Sequence, residues 1–169
     1  MKNSISIVKL QDSSHLMGTV ADRIWNEWSR SRGKPLSEVI KKLSKIVNSK
    51  SEFILVAVQG SNFAGTVSFV ESDLAVRTSI TPWIAAVYVE PSFRGKGIGS
   101  KLIRAAECLA WSQGADKIFL HCSFDMRGFY SNLGYCEVEE KVGEYESYIF
   151  SKSCDSRCDR AENLLAPNN

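Results

Sequence analysis

The sequence lacks a long apolar run and lacks a strong excess of charge of either sign. Its 21 lysines and arginines nearly balance 19 aspartates and glutamates, for a formal net charge of +2. This balance does not indicate nucleic acid or an anionic membrane as a partner. No apolar segment approaches the roughly 20 residues of a membrane span, and the start, Met1 to Ser4, lacks the apolar region of a signal peptide. We therefore expect a cytoplasmic protein with neither partner.

Cysteine is also sparse, and its pattern is not that of a disulfide scaffold. An odd number of cysteines, scattered through predicted helix and strands, favours reduced thiols in a cytoplasm; they are Cys108, Cys122, Cys136, Cys154 and Cys158. The last two stand four residues apart with no histidine nearby. Because the ligand spacing of structural zinc sites is absent, we expect no metal.

What the sequence does contain suits one compact domain. It has 169 residues and 44% hydrophobic content, enough to bury a sizeable core. No internal repeat or linker divides it. We expect a single domain over residues 1–151 and a polar tail over residues 152–169.

Apolar periodicity predicts the secondary structure. The predicted strands cover residues 4–10, 53–58, 63–70, 83–89, 117–122, 135–140 and 145–151, and the predicted helices cover residues 16–28, 36–47, 97–113 and 126–133. The strand, helix and strand over residues 83–122 should form a β-α-β unit with a parallel pair. We expect an α+β fold of α/β/α layers, with a mixed central sheet of about 6-7 strands and about four helices.

The segment from Val87 to Gly99 is the most informative part of the sequence. An apolar strand runs into Pro91, then into Arg-Gly-Lys-Gly-Ile-Gly, and then into an amphipathic helix. Glycines allow tight turns and close approach of a ligand, while the first amides of a helix have no internal partners and favour anions. With Arg94 and Lys96 adding full charges, the segment predicts a site for a diphosphate.

Two other phosphate-binding motifs fail on spacing. A Walker loop needs Gly-x4-Gly-Lys followed by Ser or Thr, which the positions of Gly95 and Gly97 do not give. The dinucleotide fingerprint needs Gly-x-Gly-x-x-Gly and an acidic residue about 20 residues on, closing a second strand. Asp116 lies near that distance but precedes the next strand.

The same segment resembles the acetyl-coenzyme A signature of the GNAT N-acetyltransferase superfamily, (Arg/Gln)-x-x-Gly-x-(Gly/Ala). Residues 128–135, Gly-Phe-Tyr-Ser-Asn-Leu-Gly-Tyr, resemble its second landmark, Phe-Tyr-x-x-Leu-Gly-Phe. The resemblance covers residues 52–150 well and residues 1–51 more loosely. The segment over residues 73–83 resembles uncharacterised bacterial members.

The resemblance implies the acyl-CoA N-acyltransferase (GNAT) fold and acetyl-CoA as cosubstrate. In that fold the two parallel strands splay apart, and the pantetheine arm pairs with the first of them. The implied cofactor-binding residues are Val87, Tyr88, Val89, Arg94, Gly95, Lys96, Gly97, Ile98, Gly99, Ser100 and Asn132.

The implied reaction is direct attack of a neutral amine on an acetyl thioester, which needs an oxyanion donor and proton transfer. By resemblance, Tyr130 is the general acid for the leaving thiolate, unless it packs in the core like Phe129. The oxyanion donor would be a backbone N–H near Val87 or Tyr88.

The base is less well determined by the sequence. Glu71 or Asp73 could act through a water, and His121 could titrate near neutral pH or be structural. Glu90 is expected to be solvated beside the loop. Cys122 would allow a covalent acyl-cysteine route, but no His or Asp partner is evident, so direct transfer is favoured.

The acceptor is expected to be a small-molecule amine in a pocket with Trp28, Trp83 and His121, although Trp25 and Trp28 could equally lie in the core. A protein N-terminal or lysine acetyltransferase remains an alternative. So does a non-catalytic CoA-binding module. A homodimer also remains open.

Overall fold

The structure, a computed structural model, describes residues 4–154. Its seven strands form one mixed sheet in the order β1-β2-β3-β4-β5-β7-β6. β4 and β5 are parallel, and every other neighbouring pair is antiparallel. The strands are β1 Ile5–Lys9, β2 Phe53–Gln59, β3 Asn62–Val70, β4 Trp83–Val89, β5 Lys117–Cys122, β6 Cys136–Val142 and β7 Ser147–Ser153. The predicted mixed sheet and its parallel pair are confirmed.

Four α-helices accompany the sheet: α1 Met17–Ile24, α2 Leu36–Val47, α3 Ile98–Ser112 and α4 Arg127–Asn132. The helix predicted over residues 16–28 is present but changes its winding. After α1 it continues as a π-helical turn, Trp25–Ser29, and a 3-10 turn, Arg30–Arg32, which ends at Gly33 with φ of 69°. Such turns inside helices are frequent at functional sites.

Two apolar cores lie on opposite faces of the sheet. α3 and α4 cover one face, while α1 and α2 cover the other. Strand alternation divides the side chains between them: Ile118 and Leu120 of β5 join the α3 side, whereas Phe119 packs on the α1 side. Each fully buried side chain of this size contributes about 1.5–3 kcal/mol. The result is the predicted α/β/α layering.

The last hairpin departs from the prediction. The strands were expected over residues 135–140 and 145–151, but β6 runs to Val142 and β7 begins at Ser147. Register shifts in β6, with positive φ at Lys141 (51°) and Glu146 (46°), add residues that the apolar pattern does not reveal. β7 also includes residues 152 and 153, which the sequence assigned to the tail. Cys158 lies outside the described residues.

No helix within residues 4–154 has the length and apolar character needed to cross a membrane. In the same range, no cluster of three or more His, Cys, Asp or Glu side chains could hold a metal ion. The cysteines in this range are free thiols, namely Cys108, Cys122, Cys136 and Cys154.

Candidate active site

The parallel strands β4 and β5 diverge soon after they meet. In the described chain their register consists of Trp83 opposite Phe119, where the Phe119 N–H donates to the Pro82 carbonyl at 2.9 Å. Beyond this point β5 remains paired with β7 along its whole length. The edge of β4 from Ala86 to Val89 therefore faces a gap instead of a neighbouring strand.

A β-bulge coincides with the start of this gap. Ser68 pairs with Ala85 and Thr66 pairs with Tyr88, so two residues of β4 stand opposite one residue of β3. One of the two, Ala86, has φ of 50°, a conformation that costs a non-glycine residue about 1–2 kcal/mol. Bulges bend a strand and increase its twist. The bulge thus gives a local reason for β4 to leave β5.

The backbone of β4 beyond the bulge presents polar groups to the gap. The Glu90 N–H donates to the Ala64 carbonyl of β3 at 3.0 Å. Since successive residues of a strand point their polar groups to opposite sides, Tyr88 also faces β3 and Val89 faces the gap, while Val87 lies in the bulge at the start of the gap. The Val89 carbonyl accepts from Arg94 Nε at 2.9 Å. The N–H groups of Val87 and Val89 can therefore pair with an extended ligand.

The loop that follows β4 turns through two left-handed glycines. Gly95 has φ of 74° and Gly97 has φ of 75°. A Cβ added at either glycine would meet no atom within 4 Å, so backbone conformation, not packing, requires glycine at both positions. The loop leads directly into α3.

The start of α3 leaves amides free for an anion. The first intrahelical donor is the Lys101 N–H, which bonds to the Gly97 carbonyl at 3.1 Å. The N–H groups of Ile98, Gly99 and Ser100 consequently have no acceptor within the helix. They also lie at the positive end of its dipole. This geometry suits a phosphate group.

Two cations lie beside these amides. Lys96 Nζ donates to the Ser92 carbonyl at 2.9 Å, and Arg94 is held against the end of β4 through its Nε. The neighbouring Glu90 does not oppose them as a free charge, because its carboxylate pairs with Arg23. This hydrogen bond with Glu90 raises the pKa of Arg23, despite the opposing effect of burial. The expectation that Glu90 is solvated is therefore wrong.

Tyr130 is buried in α4 on the α3 side of the sheet, with an exposed fraction of 6%. Its ring contacts those of Phe129, Tyr135 and Phe150, with centroids 5.1, 6.2 and 6.5 Å away. Burial, followed by the charge of the Cys122 group, raises the pKa of Tyr130 well above its ordinary value. The phenol is therefore protonated at neutral pH, as an ordinary tyrosine is, and the raised pKa makes it a weaker acid.

Cys122 ends β5 and is also buried. Burial, reinforced by the negative charge of Glu137, raises the pKa of its thiol to about 11, although Arg127 opposes the shift. A thiol with this pKa carries little thiolate at neutral pH and is a poor nucleophile. The site therefore lacks the activated cysteine that an acyl-cysteine route requires.

The structure joins two residues that the sequence placed in separate roles. His121 Nε2 lies 3.1 Å from the Asp73 carboxylate on the α1 side of the sheet. Burial acts to raise the pKa of Asp73, but the hydrogen bond and charge of His121 and the charge of Lys42 outweigh it, so this pKa is lowered. Lys42 Nζ is 3.7 Å from Asp73. Sequence reasoning missed Lys42, because a lysine on an exposed helix face carries no distinguishing pattern.

The other predicted pocket residues are placed differently. Glu71 follows the end of β3, near the start of β4, and accepts from Ser51 Oγ at 2.9 Å; the structure does not bring it to the gap. Trp83 is fully buried and its Nε1 donates to the Ile80 carbonyl at 2.6 Å. Its ring lies edge-on to His121, 6.0 Å away. Trp83 thus packs in the core beneath His121 and forms no exposed wall.

The remaining predicted residues lie near opposite ends of the site. The half-buried Trp28 lies in the π-helical turn, 6.5 Å from the ring of Tyr88. Asn132 is the last residue of α4 and is exposed. Trp25 Nε1 donates to the Lys34 carbonyl at 2.7 Å, which fixes the loop between α1 and α2.

Two contacts connect the β6–β7 hairpin with loops on the α1 side. We refer to them as the hairpin contacts. The guanidinium of Arg32 lies 4.2 Å from the ring centroid of Tyr145, and Arg77 pairs with Glu139 at 2.7 Å. The hairpin also reaches the core below α1 and α2 through Val142. Three connected segments therefore border the region beside His121: the α1–α2 connection, the β3–β4 connection and the β6–β7 hairpin.

The comparisons with known proteins agree with this geometry. Residues 18–135 match the family model described as the acetyltransferase (GNAT) family. Over 117 residues the chain is 32% identical to N-alpha-acetyltransferase 30 of Schizosaccharomyces pombe, a match that covers 66% of this chain and 77% of the yeast protein.

Two solved structures show the same fold at low sequence identity. An aminoglycoside 6'-N-acetyltransferase complexed with coenzyme A has a TM-score of 0.70 at 16% identity, covering 89% of this chain and 98% of that one. A spermidine/spermine N-acetyltransferase from Vibrio cholerae has a TM-score of 0.67 at 18% identity, covering 88% of this chain and 92% of that one.

Proposed function

Because the chain belongs to the acetyltransferase (GNAT) family, it is an acetyl-CoA-dependent N-acyltransferase, and we propose that it acetylates a small-molecule primary amine by direct attack in a ternary complex. The observation that carries this proposal is the gap between β4 and β5, which ends at the amide-lined loop. An extended pantetheine arm fits along Val87 and Val89, with its diphosphate at the start of α3. The thioester then lies beside the bulge, between the two faces of the sheet.

The oxyanion donor in this mechanism is the Val87 N–H. Of the two predicted donors, Tyr88 belongs to the segment of β4 that pairs with β3, whereas Val87 belongs to the bulge at the start of the gap, which supports Val87. A fixed donor in a water-poor site can contribute about 3–4 kcal/mol to the transition state. The bulge at Ala86 sets the direction of this donor.

Tyr130 is the proposed general acid for the leaving thiolate. It lies on the α3 side, where the cofactor fits, and a phenol with an ordinary pKa near 10 already carries its proton at pH 7. Direct transfer, with no acyl-cysteine, is supported by the raised pKa of Cys122.

His121, oriented by Asp73, is the proposed base. Its side chain is 28% exposed, so an acceptor or a bridging water can reach it from the α1 side. The Asp73 carboxylate fixes one ring nitrogen and stabilises the positive charge that the imidazole gains when it accepts a proton. Asp73 and His121, which the sequence analysis considered separately as bases, thus act as one pair in this proposal.

The hairpin contacts support a small acceptor. They connect the loops around His121. An amine at the narrow end of an acceptor therefore fits this side of the enzyme better than an amine on a broad protein surface. Two relatives in fold are named for the small amines aminoglycoside and spermidine. The free thiols in the described range support a reducing compartment such as the cytoplasm.

A protein α-amine is the second candidate. The 32% identity with an N-alpha-acetyltransferase favours it, and a peptide N-terminus is also a narrow end. The two candidates differ in what must occupy the space beyond the amine. A peptide would need partners for its backbone, whereas a small molecule would not.

The first experiment is calorimetric titration of the purified protein with acetyl-CoA, with NADH and ATP as controls. We expect micromolar binding of acetyl-CoA and none of the controls. Free-thiol release is then measured with spermidine, kanamycin and a tetrapeptide with a free α-amine. Turnover of either small amine supports the proposal, and turnover of the peptide alone replaces it with the second candidate. Absence of acetyl-CoA binding would contradict the assignment of the loop.

A further inference from the structure

A partly buried ion pair, Glu107 with Lys152, lies near the proposed acid and takes no part in the chemistry described so far. Glu107, in the middle of α3, has an exposed fraction of 2%. Its Oε2 accepts from Lys152 Nζ of β7 at 3.0 Å. Burying two charges is costly, and such a pair is weak evidence for stability by itself. The position of this ion pair is therefore more informative than its contribution to the stability of the fold.

Lys152 also holds the end of α4. Its Nζ donates to the Leu133 carbonyl at 2.9 Å, immediately after the last residue of the helix. A cation at a helix C-terminus satisfies a free carbonyl and complements the dipole. One ammonium group thus ties together α3, β7 and the end of the six-residue helix that carries Tyr130.

The same cluster contacts Tyr130 through Tyr135. The Tyr135 N–H donates to the Tyr130 carbonyl at 3.2 Å, and the two rings meet edge to face at 6.2 Å. Lys152 Nζ lies 5.4 Å from the centroid of the Tyr135 ring. Burial, followed by the charge of Glu107 and a side-chain hydrogen bond with it, raises the pKa of Tyr135, so the Tyr135 hydroxyl faces the Glu107 carboxylate. The Tyr135 side chain therefore lies between Glu107 and the Tyr130 ring.

We propose that the Glu107–Lys152 ion pair is a positioning device that holds the phenol of Tyr130 in place for proton donation. This inference rests on the proposed function of the site. α4 is too short to hold its own geometry, because an isolated helix of this length is unstable in water. The ammonium fixes the C-terminal end of α4, and the Tyr135 ring transmits that placement to the Tyr130 ring.

The test is a double-mutant cycle between Lys152→Met and Tyr130→Phe, with the small amine that turns over fastest. Tyr130→Phe should lower kcat about 100-fold, within the range for general acids, and Lys152→Met about tenfold. If Lys152 acts through Tyr130, adding Lys152→Met to Tyr130→Phe should cause no further loss, because coupled sites are not additive. The KM for acetyl-CoA should change less than about twofold in each variant.

Three further variants separate positioning from folding. Lys152→Arg keeps both hydrogen-bond functions and should restore most of kcat. Glu107→Gln preserves shape, so it tests the proposal if Lys152→Met does not fold, and it should show the same non-additivity with Tyr130→Phe. Lys117→Met, an exposed lysine at the start of β5, is the control and should leave kcat unchanged.

A spectroscopic readout needs no acceptor. In protein labelled with 13C at the tyrosine ζ-carbon, the Tyr130 signal is identified by its loss in Tyr130→Phe and should shift in Lys152→Met. An unshifted signal, or equal losses of kcat with and without the Tyr130 hydroxyl, would overturn the positioning role. If the wild-type protein acetylates none of the amines, the proposed function fails. The spectrum would still show whether Lys152 affects the position of the Tyr130 ring.

Discussion

At the scale of single residues, the proposed role of His121 depends on a partner that is distant in the sequence. The sequence contains two histidines, and neither has a distinguishing local motif. Asp73 reaches His121 from the connection between β3 and β4. A carboxylate that orients an imidazole is a recurring arrangement in base catalysis.

His121→Gln should lower kcat/KM about 100-fold at pH 7, which is typical for loss of a general base. The loss should shrink as the pH rises towards the pKa of the acceptor amine, about 10.4 for an amine of the lysine type, because a neutral amine needs no base. The measurement is kcat/KM from pH 6 to pH 10. The control is His15→Gln, the other histidine, which is exposed. A loss that stays constant with pH would indicate a structural role instead.

Cys122→Ala should retain kcat within about twofold, since only about one thiol in ten thousand is ionised at pH 7 when the pKa is about 11. Initial rates of free-thiol release provide the measurement, and intact-protein mass spectrometry after mixing with acetyl-CoA should show no acetyl adduct. A folded but inactive variant, together with an adduct on the wild-type protein, would establish the covalent route.

At the scale of elements, the hairpin contacts determine which loops border the acceptor side. The β6–β7 hairpin is an edge element, and its register shifts bend β6. The positive-φ residues Lys141 and Glu146 place Tyr145 at the turn, where it stacks on Arg32. The contact therefore depends on backbone irregularities as much as on the two side chains.

Tyr145→Ala should loosen this border and change acceptor selection without affecting acetyl-CoA binding. We expect the ratio of kcat/KM for kanamycin over spermidine to rise about three- to tenfold, equivalent to about 1 kcal/mol for a cation–π contact. Val138→Ala, an exposed substitution on β6, is the control. An unchanged ratio would show that the hairpin does not limit acceptor size.

At the scale of the whole molecule, the proposed cofactor site lies between strands that pair at one position, Trp83 opposite Phe119. The gap separates β4 from β5, and a ligand inserted there would connect the two halves of the sheet. A ligand that binds only the folded state stabilises it by about 2.7 kcal/mol at 100 times its Kd. The increase in stability on adding the ligand therefore measures binding at this site.

Acetyl-CoA at 100 times its Kd should raise the Tm by roughly 5–10 °C for a domain of this size. Gly97→Glu should abolish this shift, because it puts bulk and negative charge beside the diphosphate amides. Gly60→Glu is a matched control. Gly60 has φ of 59° and Gly97 has φ of 75°, and both have open space around the Cβ position. Thermal scans with and without ligand provide the measurement. A normal shift in Gly97→Glu would contradict the loop assignment.

Much of the fold and the cofactor loop could be predicted, because the signals are local. Apolar alternation predicted β4 and β5 at their observed bounds, and the glycine pattern predicted the left-handed turns at Gly95 and Gly97. The strands of the C-terminal hairpin were misplaced by one or two residues at each end. Bulges and positive φ at non-glycine residues change the register without changing the apolar pattern.

The sequence by itself determined the family resemblance, the layered α+β fold and the glycine loop between β4 and α3, because each follows from contiguous residues and from short-range conformational preferences. Only the tertiary structure decided that His121 meets Asp73, that Trp83 is core and that the Tyr88 amide faces β3. It also placed Lys152, which the sequence assigned to the tail, against Glu107 and the end of α4. These relations depend on strand pairing and packing between residues far apart in the chain, and no local pattern specifies them.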